Sequence, residues 1–232
     1  VARGGALLDA DKKAALRKIN EEMSTLGPVF SNNVKKSAEK FTLLIDNEKD
    51  LAGLPQMAIE GAKMAAEERG HSGKWAFTLD FPSYYPFVTY ADSSELRHKM
   101  WSAYSHQAFG DEFDNSETIK KIVRLRYERA KLLGYAHHAD YVLEKRMAEK
   151  TDRVMKFLTD LKDRYKPAAQ RDLDELRDFA KKLGCGDLKP WDVSYYSEKL
   201  QQEKFQFSSE DLRPYFPLEN VLKGTFEHFR KL

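Results

Sequence analysis

Cysteine is almost missing from this chain. Cys185 is the one thiol in 232 residues, so neither an intrachain disulfide nor a thiolate metal cluster can form. That scarcity fits a reducing compartment and makes a cytoplasmic location the default expectation. A charge excess of either sign is missing as well. Lysine and arginine total 39 against 37 aspartate and glutamate, a formal net charge of +2, so charge announces neither a nucleic-acid nor a membrane partner. No apolar run approaches the roughly 20 residues of a membrane span. The six histidines include no His-x-x-x-His pair: His98 and His106 are eight positions apart, His137 and His138 are adjacent, and His71 and His228 stand alone. Each reads more simply as a surface or hydrogen-bonded histidine than as a zinc ligand. No Gly-x-Gly-x-x-Gly or P-loop run occurs, so nucleotide binding has no support. Cys185, set between glycines at a helix end, carries no nucleophile signature around it.

What the chain does have is apolar material, at 41% hydrophobic, and helical spacing for most of it. Asp9 can cap a first helix whose apolar positions include Leu16, Ile19, Met23, Phe30 and Val34. Gly27-Pro28 interrupts it, which predicts either one kinked rod to about Leu44 or two rods in line. A polar connector over 47–53 leads to a helix opened by Pro55 and stopped by Gly70. Further helices are expected over 92–109, 116–133, 139–149 and from Thr151 through Pro167 to Leu183. Two more should run from Pro190 to Lys204 and from Leu218 to the end.

One stretch reads otherwise. Trp75 to Tyr90 is rich in aromatic and β-branched residues and is punctuated by Pro82 and Pro86, so it predicts two short strands, 75–80 and 87–90, around a proline loop. The expected fold is therefore mainly α: a multi-helix body with long helices open to kinking at proline, and one short β-hairpin over about 75–90. No repeat period or low-complexity linker divides it, which favours one continuous helical body. Val1 is not an initiator methionine and the helical pattern runs on to Leu232, so both ends are expected to have been cut from something longer. A processed terminus with a trimmed tag is the alternative.

Two clusters invite a functional reading. Asp192, Tyr195 and Tyr196 share one helical side next to Trp191, and Tyr84 follows a strand-end carboxylate, Asp80. Either cluster could line a peptide-binding cleft. Helix capping by Asp192 and packing of the tyrosine rings is the plainer account.

These clusters lie in a series of stretches that resembles the thimet oligopeptidase, oligopeptidase A and peptidyl-dipeptidase family of zinc metallopeptidases. The stretches are Arg3-Gly-Gly-Ala-Leu-Leu8, Asp50-Leu-Ala-Gly-Leu-Pro55, Phe77-Thr-Leu-Asp-Phe-Pro-Ser-Tyr84, Leu132-Leu-Gly-Tyr-Ala136 with Ala139-Asp140, Lys189-Pro-Trp-Asp-Val-Ser-Tyr-Tyr-Ser-Glu-Lys199 and Leu212-Arg-Pro-Tyr-Phe-Pro217. They run in family order over nearly the whole chain, and the Pro-Trp-Asp run is most similar to the bacterial peptidyl-dipeptidase and oligopeptidase A branch.

The resemblance implies a parent enzyme that binds zinc through a His-Glu-x-x-His helix and hydrolyses short peptides in a deep channel. That motif does not occur here, so the resemblance assigns this chain no catalytic and no metal residue. It implies a non-catalytic helical segment, 1–232, supplying part of the channel wall and completed by a C-terminal catalytic portion. Tyr84, Asp192, Tyr195 and Tyr196 are the channel candidates. It further implies that the hairpin joins a sheet completed by other strands, leaving Phe77, Phe81 or Tyr84 exposed. The alternative is an independent helical module that binds peptides without chemistry.

Overall fold

The computed structural model describes residues 2–231. The first long helix, α1 (Ala10–Lys40), starts where Asp9 accepts a hydrogen bond from the Lys12 backbone N–H at 2.9 Å, and it runs unbroken through Pro28. A single rod is thus the form adopted. It stops before Leu44 because Leu43–Ile45 forms a strand, β1, that the sequence reading assigned to the helix end.

After a 3-10 turn capped by Asn47 come α2 (Gln56–Glu68) and β2 (Trp75–Phe77). β1 and β2 pair antiparallel, Leu43 opposite Phe77 and Ile45 opposite Trp75. The two-stranded antiparallel sheet is therefore built from partners about thirty residues apart.

The expected hairpin over 75–90 is corrected here. Its first strand exists, but Phe81–Tyr90 is a helix, α3, with Asp80 at its cap position and Pro82 in its first turn. A first-turn N–H has no intrahelical partner, so Pro82 costs the helix nothing there. The Ser83 hydroxyl turns back to accept the Thr78 N–H at 3.0 Å. Tyr84, Phe87, Val88 and Ala91 recur at helical spacing, and this stripe outweighs the strand preference of the individual residues. Phe77, expected to be exposed, is fully buried, with Phe87 edge-on at 4.6 Å between ring centroids. Tyr84 is half-buried and stacks on Tyr104, whereas Phe81 does face outward, 68% exposed.

The remaining elements are α4 (Ser94–Ser105), α5 (Ser116–Leu132), α6 (His138–Leu143), α7 (Thr151–Lys182), α8 (Val193–Phe205) and α9 (Leu218–Phe229). Ser93 caps α4 through a bond from the Leu96 N–H at 3.3 Å. α6 is shorter than expected, and α7 passes through Pro167 as one helix. A 3-10 turn, Pro190–Asp192, precedes α8, and another, Ser209–Tyr215, precedes α9.

The main core lies where β1, β2, α2, α3 and α4 meet, around Ile45, Leu54, Phe77, Phe87, Ala91 and Met100. α5 lies along α1, joined by the buried Asn115 side chain, which donates to the Phe30 carbonyl and accepts from Asn33, both at 3.0 Å. Outside these layers the front half of α7 and all of α9 keep apolar side chains in the open, among them Phe157, Leu158, Tyr165, Leu222 and Phe226.

Candidate functional site

Two places bear on function, a buried polar junction and an open groove. The junction forms where the start of α4 meets the 3-10 turn before α8. Arg97, one turn into α4, is 1% exposed and reaches Asp192 with N···O 2.5 Å, while its other terminal nitrogen donates to the Ala91 carbonyl at 2.6 Å and the Asp92 carbonyl at 3.1 Å. Asp192 also accepts from the Ser94 hydroxyl at 2.7 Å, and Ser94 in turn accepts the Trp191 indole N–H at 3.1 Å. A buried charge needs such partners, because leaving it unpaired costs several kcal/mol.

Tyr195, one turn into α8, lays its ring against the Arg97 guanidinium at 4.0 Å and donates its hydroxyl to Asp92 at 2.7 Å. Burial first, and then the bond to the Asp92 carboxylate, push the Tyr195 phenol well above its usual range. Lys199 closes the cluster, 3.9 Å from Asp92 and 4.6 Å from the Tyr195 ring centre. Tyr196 stands edge-on to Tyr195 at 5.1 Å, and burial together with a bond to Cys185 raises its phenol too.

Gly53 is what lets the chain pass this point. Its φ of +85 suits glycine, and an added Cβ would lie 2.2 Å from the Tyr90 carbonyl oxygen and 2.8 Å from an Asp92 carboxylate oxygen. The Asp92 N–H bonds the Ala52 carbonyl at 2.9 Å.

The structure therefore brings Asp192, Tyr195 and Tyr196 together and keeps Tyr84 apart from them, on α3 against Tyr104. Asp192 is 3% and Tyr195 9% exposed, and both are occupied by bonds within the chain. Arg97 was missed. No local pattern marks it, since an arginine in a helix's first turns usually points to water; only the acidic Asp192 on a distant segment explains its burial. Asp92 likewise carries no local mark of its partner, Tyr195, which lies 103 positions away.

The open groove runs between α2 and α3, with a volume near 650 Å3. Its floor is the small-residue face of α2, Ala58, Gly61 and Ala65, and its wall is the stacked pair Phe81 and Tyr85. Asp80 and Glu210 also line it. Tyr84 is not part of the lining, although its chain neighbours are.

A catalytic zinc takes three protein ligands. Among the described residues no three His, Cys, Asp or Glu side chains come together as such a site requires, so these residues do not fit a zinc ion. No helix among them is long and apolar enough to cross a membrane.

Comparison with known proteins gives the chain its family. It is 40% identical to oligopeptidase A of Salmonella typhimurium, over 98% of this chain and 34% of that protein. It is 36% identical to a probable cytosolic oligopeptidase A of Arabidopsis thaliana, over 96% and 33%, and 30% identical to dipeptidyl carboxypeptidase of Escherichia coli, over 97% and 34%. The chain thus spans about a third of the length of the relatives it matches. Residues 87–232 match the model of Peptidase family M3, and the chain belongs to that family.

Proposed function

We propose that residues 1–232 are one helical segment of a longer, zinc-dependent, cytoplasmic oligopeptidase that hydrolyses peptide bonds in short peptides. In this reading the segment forms part of the substrate-channel wall and is inactive alone. The observation that carries it is the pair of uncovered amphipathic faces on α7 and α9, in a chain that spans a third of its relatives' length. Leu218, Val221, Leu222, Phe226 and Phe229 recur along one side of α9 and are all exposed, at 43% or more. A face of that kind in a stable protein is covered by something. The catalytic portion of the peptidase supplies the cover.

Zinc, when bound, polarises a peptide carbonyl and activates water. Its ligands belong to that other portion, and no group of this segment is given a step in hydrolysis. Asp192 and Tyr195 serve the channel as positioning residues, holding α8 against α4. Tyr196 and Tyr84, each half-buried, are the candidates for contact with peptide.

The groove between α2 and α3 favours a second reading, a module that binds peptides without cutting them. The two readings part in one experiment. The reading frame downstream of Leu232 is sequenced, and the extended and present chains are assayed with an internally quenched peptide. The first reading expects a His-Glu-x-x-His motif and chelator-sensitive cleavage by the extended chain alone. A stop codon after Leu232, or an extended chain that cleaves nothing, overturns it.

A further inference from the structure

The open face of α9 is complementary to itself. We propose that in the 232-residue chain on its own this face is covered by α9 of a second copy, packed antiparallel about a two-fold axis in a weak dimer. The inference rests on the peptidase reading only in taking the α9 face to be one that another surface covers. In the isolated chain a second copy stands where that reading puts the catalytic portion.

The face can be buried without stranding a polar group. Leu218, Val221, Leu222, Thr225, Phe226 and Phe229 fall within a stripe about 140° wide on a regular helix, and the five apolar members are exposed. Thr225 is the stripe's polar member, and its hydroxyl donates to the Val221 carbonyl at 2.8 Å. Its donor is thus satisfied within α9 before anything docks.

Charge selects the second copy and its direction. Glu219 lies in the first turn, and Arg230 is the cap residue, its backbone still helical at φ −71 and ψ −19. They are separated by about three turns, which puts both on one flank of the stripe at opposite ends of the helix. In an antiparallel two-fold pair the same flank of each helix meets, so Glu219 of each copy faces Arg230 of the other and the contact is made twice. In that register Leu218 comes beside Phe229, and Leu222 beside Phe226, across the axis. Neither Glu219 nor Arg230 has an ion-pair partner among the described residues. A parallel pair would set Arg230 near His228 and leave Glu219 without a partner, and it would also align the two helix dipoles unfavourably.

Two helices of 12 residues bury less than a standard interface of about 1,600 Å2, so the Kd expected is on the order of 10–100 µM. The test is sedimentation velocity of the 232-residue chain from about 1 to about 300 µM at low salt, where rim charges are least screened. The parent chain should pass from monomer to dimer over that range. Glu219→Arg and Arg230→Glu, each alone, set like charges at both contacts and should weaken the dimer about tenfold or more. Both positions are exposed, so the melting temperature of the dilute monomer should hold in each variant. An equimolar mixture of the two variants restores opposite charges at both contacts and should dimerise as the parent chain does.

A chain that stays monomeric throughout, a dimer that Glu219→Arg leaves unchanged, or a mixture that associates no more tightly than either variant alone overturns the proposal. Its failure is separable from that of the peptidase reading. An extended chain that cleaves peptides while the 232-residue chain stays monomeric removes this inference alone. A 232-residue chain that dimerises as described, in a protein that cleaves nothing, removes the other.

Discussion

The sheet core and the α7 and α9 arms carry the same kind of sequence signal and end in opposite states. In α3 the stripe Tyr84, Phe87, Val88 and Ala91 is turned inward, with Phe87 and Ala91 fully buried. In α9 the stripe Leu218, Val221, Leu222, Phe226 and Phe229 is as regular and lies wholly in the open. Amphipathic spacing says that a face is to be covered. It does not say by which part of which chain. Here the core finds its partners among β1, β2, α2 and α4, and the rear of α7 packs on α8, whereas the apolar stripes of α9 and of the front half of α7 stay in the open.

The sharpest way to break this comparison is to truncate one aromatic ring in each region. Phe77→Ala should destabilise the chain by about 3–5 kcal/mol, because the ring is fully enclosed and its neighbours cannot collapse onto the gap. Phe226→Ala should change stability by no more than about 0.5 kcal/mol. Denaturant unfolding of both variants checks the pair, and equal effects would mean that α9 is packed after all.

The buried junction provides the next test. Asp192→Asn should cost about 3 kcal/mol or more, since it leaves the Arg97 guanidinium buried without a counter-charge. Arg97→Met together with Asp192→Leu should recover much of that loss, because the penalty comes from the uncompensated charge. A double-mutant cycle read by thermal unfolding decides whether the ion pair is as dry as its 1% and 5% side-chain exposures state.

A smaller effect is expected at Tyr195. Tyr195→Phe removes a bond to a carboxylate and should cost about 1.5–3 kcal/mol near neutral pH. The phenol is raised above its ordinary value of 10.0, so the folded state holds that proton more firmly than the unfolded one. Its contribution is therefore complete below about pH 10 and fades as the pH climbs above that. The variant's stability should fall less steeply than the parent chain's in that alkaline range.

The least change is expected from Phe157→Ser on the open half of α7. Stability should shift by no more than about 0.5 kcal/mol in this chain, while binding of a hydrophobic dye should drop. An unchanged dye signal would show that the α7 face is not the exposed apolar surface it is taken to be.

Particular residues show where sequence reading succeeded. Asp9 caps α1, Pro55 opens α2, and Gly70 follows its end at a φ of +78. All three act within one turn of the chain, which is the range over which capping and turn preferences operate. The reading failed at Phe81–Tyr90, where residue-by-residue strand preference was given more weight than helical period. It also missed β1, whose three residues Leu43–Ile45 continue an apolar helical pattern and become a strand because β2 lies beside them. At the candidate site, Asp192, Tyr195 and Tyr196 were visible as a local cluster. Arg97 and Asp92, their actual partners, were not, because 95 and 103 positions separate the bonded pairs.

Sequence by itself determined the mainly helical build, the capped starts and glycine stops of several helices, and membership of Peptidase family M3, since each is written in local spacing or in ordered short stretches. Tertiary structure alone decided that the strand at Trp75–Phe77 pairs with Leu43–Ile45, that Arg97 is buried on Asp192, and that a groove opens between α2 and α3. Those depend on segments distant in the chain meeting in space. The free energy of burying a charge or a ring is a property of that meeting, and no single stretch contains it.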